Sequence, residues 1–271
     1  MQTKEKIHSR LWQEEAEPDN PFAAKHCYCS GYDVYGELLG AIGWIDYLFL
    51  LYTGEAPSRQ QRQLLEGIAV VLANPGPRDH SVHAAMLGGV GGSHSAASLM
   101  AALAVGAGQL GGAREVLLAM EYWQHCGRSL EAWRDYIDTP PLPERVDVWP
   151  AMEHVPGFDP HGANCPTPVR QSLDYLTSVS PGSALPWLQA QRQALETLAD
   201  MPLALSGVAA AAFSDLGLSP PQGEMLYLIL RLPGAGAHAL EQQHYGWRKF
   251  PFFGDAVTIT NDPGPKPKES A

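Results

Sequence analysis

Apolar residues recur three and four positions apart through most of the chain, which is the spacing of helices that bury one face. The pattern predicts helices in "GELLGAIGWIDYLFLLYTG" (36–54) and "RQQRQLLEGIAVVLA" (59–73), the second capped by Ser58. "SHSAASLMAALAVGAG" (93–108) is apolar all round, so it predicts a helix buried on every face. Alternating strands are missing except for a short "AVTIT" (256–260). The pattern therefore predicts an all-α protein.

Glycine and proline mark the breaks in this series. "GQLGG" (108–112) leads directly into a helix, and "VPGFDPHGANCPTPVR" (155–170) predicts a loop. Glycines before a helix have two interpretations: a backbone cradle for an anion, or a close crossing of two helices. A Pro-Gly break is also predicted after Arg231, ahead of a helix that carries His238 and Glu241.

Composition narrows the classes of function. The net charge of −11 argues against nucleic acid as the partner. The polar N-terminus does not predict a signal peptide, and the longest apolar run, "WIDYLFLLY", is too short to span a membrane. Four cysteines in 271 residues indicate free thiols in a reducing compartment, so a cytoplasmic location is expected.

Two histidine-containing stretches are candidate metal sites. His80 and His83 share one face of a helix start, with His94 nearby in sequence, and "HCYC" (26–29) holds two cysteines. The first lacks the glutamate of a zincin and the second lacks the two-residue gap of a zinc knuckle. No metal is therefore predicted, and a hydrolytic metal site at His80 and His83 is kept as the least favoured function.

Arg231 stands at the end of an apolar run, where a charged side chain is costly unless it is paired. A bound anion explains this arginine, and a salt bridge to an acidic neighbour explains it equally well.

In order and spacing, these motifs resemble those of the citrate synthase superfamily, especially its short citryl-CoA lyase-like members. "GQLGGAREV" resembles the family's "G-P-L-H-G-G-A-x-E", and "VPGFDPHGANCPTPVR" resembles "P-G-F-G-H-x-x-x-K-x-x-D-P-R". "LALSGVAAAAFSDLG" and "RLPGAGAHALEQ" resemble the family's two C-terminal motifs. The similarity covers roughly residues 30–250.

The resemblance implies a large helical domain (1–111 and 206–271) with a smaller helical domain (112–205) inserted into it. It also implies a site between the domains and a homodimer whose interface includes the helices near 80–106. The glycine turn then becomes the floor of the active site, with no dinucleotide bound there.

The resemblance also implies roles for individual residues. Arg231 matches the arginine that grips a substrate carboxylate, and His83 falls near a substrate-contacting position. The implied ligand contacts are Val155, Pro156, Gly157 and Phe158 for coenzyme A, with Arg248 and His238 for the acid. The alternative for Arg248 and Lys249 is a solvated basic surface.

At three positions that carry the family's chemistry, this sequence departs from the family's motifs. Leu110 and Pro160 stand where the family has proton-handling histidines, and Ser206 stands where it has an aspartate. Leucine and proline cannot carry protons, and serine is a poor base. His83 and His161 are then the expected proton carriers, with Ser206 orienting a group.

The sequence therefore predicts a divergent enzyme that binds a carboxylate or a coenzyme A thioester and forms or cleaves a carbon–carbon bond. The alternative is a non-catalytic relative that senses such a ligand or partners an active subunit. No tightly bound cofactor is expected, because the thioester is the substrate.

Overall fold

The computed structural model describes residues 8–140 and 152–251. Ten α-helices dominate the described residues, so the helical class predicted from the periodicity is confirmed. In chain order they are α1 Trp44–Thr53, α2 Arg59–Ala73, α3 His80–Val90, α4 Ser95–Gly106, α5 Ala113–Cys126, α6 Leu130–Asp138, α7 Thr167–Val179, α8 Ala184–Ala199, α9 Leu205–Asp215 and α10 Pro220–Tyr245. None of the helices in the described ranges is long and apolar enough to cross a membrane.

A three-stranded antiparallel sheet precedes the helices, which the hydrophobic pattern did not predict. Its strands are β1 Gln13–Glu17, β2 Asn20–Cys29 and β3 Tyr32–Asp33, in the order β1-β2-β3. The sheet buries only Cys27 and Cys29 among the residues of β2, so little alternation is visible in the sequence. The one strand that was predicted, 256–260, lies outside the described residues.

Local capping sets the helix starts. The backbone N–H of Gln61 donates to the Ser58 hydroxyl at 3.2 Å, so the predicted cap of α2 is confirmed. Asp79 caps α3 by accepting from the N–H groups of Ser81 and Val82. The first predicted helix is shorter than expected: α1 begins only at Trp44, after a π-helical turn at Val34–Leu38.

Two further expectations about helices are wrong. No break separates Arg231 from His238, because α10 runs without interruption through Pro233. Pro233 has no N–H, so the helix lacks one backbone hydrogen bond there. The next residue, Gly234, packs closely against the backbone of Ala73. Helix α4 is not buried on every face either: Met100 is 62% exposed.

The core is built around α9. Its residues from Ser206 to Phe213 are all buried, and the small side chains let α5 and α8 approach closely. The largest cluster of buried apolar side chains takes members from both of the domains predicted from the resemblance. The domain division at 111/112 and 205/206 remains a prediction. The start of α9 thus lies in the interior, beside the start of α5.

Candidate functional site

The candidate site is organised by a buried carboxylate, that of Glu115 in the first turn of α5. The side chain is 1% exposed and accepts three hydrogen bonds. They come from the N–H of Gly111 at 2.5 Å, the N–H of Gly157 at 3.0 Å and the hydroxyl of Ser206 at 2.6 Å. A buried charge requires such partners, because each replaces part of the lost hydration. One side chain therefore joins the glycine turn, the 155–170 loop and α9.

Glycine is required where the loop meets α9. A Cβ built on Gly157 would lie 2.8 Å from the Cα of Gly207, and one on Gly207 would lie 2.4 Å from the carbonyl oxygen of Gly157. Gly157 also has φ +89°, which only glycine adopts readily. The N–H of Ala204 donates to the Gly157 carbonyl at 2.9 Å, which fixes the loop beside the helix start.

The glycine turn before α5 is also folded closely on itself. A Cβ on Gly112 would lie 2.2 Å from the carbonyl oxygen of Gly108. The Gly111 carbonyl accepts hydrogen bonds from the Arg231 guanidinium at 3.0 Å and from the Tyr227 hydroxyl at 3.2 Å, both from α10. The turn thus connects α5 to α10 through backbone groups. Close approach explains Gly112, and a φ of +64° explains Gly111.

Arg231 is buried and already paired. Its Nη2 donates to Oδ2 of Asp79 at the start of α3, and its guanidinium lies 4.8 Å from the centre of the Tyr227 ring. The salt bridge, one of the two explanations that the sequence allows for Arg231, is therefore present. Burial raises the pKa of Tyr227 to about 12, so this hydroxyl stays protonated and donates to the glycine turn.

His154 lies beside Glu115 with its ring buried. Its Nε2 is 3.7 Å from Oε2 of Glu115, beyond hydrogen-bond distance, and has no other hydrogen-bond partner. Buried polar atoms are normally paired, so this nitrogen is the exception in the cluster.

The predicted site residues divide into two groups. Ser206, Gly157 and Arg231 are connected through Glu115 and the glycine turn. Val155 is half-buried, and Pro156 and Phe158 are buried in the same loop.

The other predicted residues lie apart from this cluster. His83 is exposed and stacks on Phe250 with ring centres 6.2 Å apart. His161 is exposed, and its N–H donates to Asp159. The predicted residues on and after α10 contact other partners: His238 pairs with Glu241 and Asn74, and Arg248 lies over Trp247. No hydrogen bond or ion pair described for these residues reaches Ser206 or Arg231.

Sequence reasoning missed Glu115, Asp79 and His154. A signal existed for Glu115, which stands on the buried side of α5 with Ala119 and Trp123 one and two turns on. Asp79 had the signal of an N-cap before an apolar helix.

Across residues 8–140 and 152–251, no group of three or more histidine, cysteine or acidic residues could hold a metal ion.

Comparison with known proteins agrees with this architecture. The chain superposes on citryl-CoA lyase from Hydrogenobacter thermophilus with a TM-score of 0.74 and 18% identity, covering 96% of both chains. The chain has a citrate synthase-like fold. It also matches ATP citrate lyase from Methanothrix soehngenii, in complex with citrate and coenzyme A, with a TM-score of 0.72 and 15% identity.

The ATP citrate lyase of Methanosaeta concilii, in complex with (3S)-citryl-CoA, matches equally well, with a TM-score of 0.72 and 15% identity. The chain covers 43% of each ATP citrate lyase chain, and 97% of its own length is matched. No protein-family model matches the sequence, and no curated protein does so significantly. The fold expected from the motifs is therefore confirmed by structure.

Proposed function

We propose that this protein binds a small polycarboxylic acid, free or as its coenzyme A thioester, and forms or cleaves a carbon–carbon bond in it. The observation that carries the proposal is the convergence on Glu115. The glycine turn, the 155–170 loop and the start of α9 are far apart in sequence, and all three donate to its carboxylate. These are the segments in which the family resemblance places the active site.

The proposed ligand contacts are those that the family resemblance implies. Arg231 presents a guanidinium, whose planar donors suit a carboxylate. Val155 to Phe158 form the adjoining loop and are proposed to contact the coenzyme A end. Arg248 is proposed as a further contact to carboxylate or phosphate.

The proposed reaction is that of a citryl-CoA lyase-like enzyme. In the cleavage direction a base removes the proton of the tertiary hydroxyl group, and the adjacent carbon–carbon bond breaks. The bonding electrons enter the thioester carbonyl as an enolate, which takes up one proton to give the shorter acyl-CoA and a keto acid. His83 and His161 stay the proposed proton carriers although both lie apart from the Glu115 cluster, and Ser206 is the proposed orienting group. Each positioned acid or base contributes about 10²–10⁴-fold, so rates below those of an enzyme with the full histidine set are expected.

A non-catalytic binding protein is the second candidate, and two contacts favour it. The hydroxyl of Ser206 donates to Glu115, which holds it in a structural link between α9 and α5. The charge of Arg231 is balanced by Asp79. Both groups are thus engaged within the protein.

We also propose a homodimer that includes helices α3 and α4. Leu87 on α3 is 44% exposed, and Met100 and Val105 on α4 are 62% and 45% exposed. Exposed apolar side chains on neighbouring helices are typical of an interface between subunits. Sedimentation of the purified protein tests this, and a Met100→Glu change is expected to give monomers.

A cytoplasmic location is proposed from the thiols. All four cysteines are free and buried, as expected in a reducing compartment.

The test of function is calorimetric titration with citrate, coenzyme A, acetyl-CoA and oxaloacetate, followed by an assay for loss of the citryl thioester. Wild type is expected to bind citrate, and Arg231→Lys to bind it at least tenfold more weakly. Arg192→Lys is the control, because Arg192 also pairs with a carboxylate but lies on α8. Thioester cleavage that falls in His161→Ala supports the enzyme. Binding without turnover supports the non-catalytic candidate, and no binding of any ligand contradicts both.

A further inference from the structure

The two oxygens of Asp79 have different partners. Oδ1 caps α3 by accepting from the N–H groups of Ser81 and Val82, and Oδ2 accepts from Nη2 of Arg231. The carboxylate opposite the guanidinium therefore belongs to the protein itself, at the position that the proposed function gives to a ligand.

A small cavity adjoins Arg231. The cavity that adjoins it has a volume of about 10 Å³ and is walled by small and apolar side chains of α3, α4 and α10. A volume of roughly 10–15 Å³ is needed to hold one water molecule. A carboxylate therefore cannot join Arg231 from this cavity while the surrounding side chains stay in place.

Asp79 is the more accessible member of the pair. Its side chain is 17% exposed and that of Arg231 is 6% exposed. The charges nearby also disfavour an added anion: Arg231 is positive, whereas Asp79 is negative and Glu115, which is bonded to the same glycine turn, is negative as well. An incoming carboxylate meets a neutralised arginine.

We propose that Asp79 is an internal competitor for the ligand carboxylate, so that binding at Arg231 exchanges one carboxylate for another. This inference rests on the proposed function of the site. The exchange lowers the affinity of every carboxylate that binds at Arg231. A monocarboxylate offers Arg231 only what Asp79 already supplies, whereas a polycarboxylate brings additional contacts that favour displacement.

Asp79→Asn tests the exchange with little change of shape. Asparagine caps helices about as well as aspartate, so α3 keeps an oxygen acceptor at its start. The negative charge opposite Arg231 is lost. We expect Asp79→Asn to bind citrate at least tenfold more tightly than wild type in calorimetry at fixed ionic strength. Acetate is expected to gain affinity by a similar factor, because neither acid has to displace Asp79 any longer.

A matched control exists at the start of α1. Asp46 also accepts from a backbone N–H at a helix start, that of Gly43, and also pairs with an arginine, Arg62, at 2.5 Å. Arg62 is 51% exposed, so this pair is not part of a buried site. Asp46→Asn is expected to leave citrate affinity unchanged, which separates the effect of Asp79 from a general loss of negative charge.

Asp79→Asn leaves Arg231 buried without its counter-charge, which destabilises a protein. The double change Asp79→Asn with Arg231→Gln removes both charges, so it is expected to fold but not to respond to citrate. Thermal unfolding gives a second measure: citrate is expected to raise the Tm of Asp79→Asn more than that of wild type, because the ligand replaces the missing partner.

The outcomes separate this inference from the proposed function. If wild type binds citrate and Asp79→Asn binds it equally or more weakly, Asp79 does not compete and the inference is overturned alone. If neither protein binds citrate, and citrate changes neither Tm, the proposed function is overturned together with the inference. Tighter binding by Asp79→Asn that disappears in the double variant supports both.

Discussion

Two carboxylates in this protein accept hydrogen bonds from the same kinds of donor, but the donors are distributed differently along the chain. Glu115 and Asp215 each accept from two backbone N–H groups and one serine hydroxyl. For Asp215 the donors are Ser180 at the end of α7 and Ala184 and Leu185 in the first turn of α8, all within one six-residue stretch. For Glu115 the donors come from three separate segments.

The surroundings of the two carboxylates differ accordingly. Glu115 is 1% exposed and lies among tightly packed glycines. Asp215 is half-buried and lines a cavity of about 380 Å³ with Trp123 and Arg128. Similar hydrogen-bond chemistry therefore joins the end of α9 to one short stretch before α8 in one place, and joins three separate segments in the other. The comparison shows that donors alone do not define a site; what matters is which segments they connect.

Removal of each carboxylate gives the largest expected difference. A buried donor left without a partner costs about 1–3 kcal/mol, and Glu115→Ala leaves two of them, the Gly157 N–H and the Ser206 hydroxyl, besides the more exposed N–H of Gly111, so we expect a loss of about 3–5 kcal/mol. Asp215→Ala removes a cap that water can partly replace, at about 1–2 kcal/mol. Urea unfolding measures both, with the exposed Glu66→Ala as control. Equal losses would contradict the distinction.

Glycine substitutions near each carboxylate sharpen the same contrast. Gly157, beside Glu115, and Gly217, beside Asp215, both have positive φ, +89° and +77°. A Cβ on Gly157 meets Gly207 at 2.8 Å, whereas one on Gly217 meets nothing within 4 Å. An alanine at a positive φ costs about 1–2 kcal/mol by itself, and overpacking of its Cβ adds about 1–3 kcal/mol. We expect Gly157→Ala to lose about 2 kcal/mol more than Gly217→Ala by urea unfolding. A loss in Gly217→Ala as large as that in Gly157→Ala would show that packing at the loop is looser than described.

Alkaline unfolding tests Tyr227, whose hydroxyl donates to the glycine turn beside Glu115. Burial raises the pKa of Tyr227 to about 12, so the folded state retains a proton that the unfolded chain loses near pH 10. Stability contributed by this group is therefore present below pH 10 and is lost between pH 10 and 12, by about 2 kcal/mol at the upper limit. In Tyr227→Phe this part of the decline is expected to disappear, whereas Tyr175→Phe, on an exposed side chain, keeps it. Urea midpoints from pH 9 to 12 provide the measurement, and an unchanged slope in Tyr227→Phe would refute the assignment.

The serine hydroxyls give the smallest expected difference. Ser206→Ala deletes a buried donor to Glu115, and a hydrogen bond to a charged group contributes about 1.5–3 kcal/mol. Ser180→Ala deletes the same bond at the half-buried Asp215, where water replaces the donor, so its expected cost is below about 1 kcal/mol. Citrate affinity that survives in Ser206→Ala would mark Ser206 as a structural link.

Periodicity predicted most of the helices but little of the candidate site. The cap at Ser58 and most of the loop at 155–170 were predictable, because both depend on residues adjacent in sequence; residues 167–170 already belong to α7. The Pro-Gly break after Arg231 was wrong, since tertiary packing around Gly234 carries α10 through Pro233. Of the cluster itself, the sequence indicated Gly157, Ser206 and Arg231 through motif order.

By itself the sequence determined the helical class, the positions of the glycine turn and the loop, and the need for a partner at Arg231. Only the tertiary structure decided that the partner is Asp79, 152 residues away, and that Ser206 donates to Glu115, 91 residues away. The physical reason is range. Helix periods and caps are set by neighbours within a few residues, whereas the pairing of buried charges depends on which distant segments the packed core brings into contact.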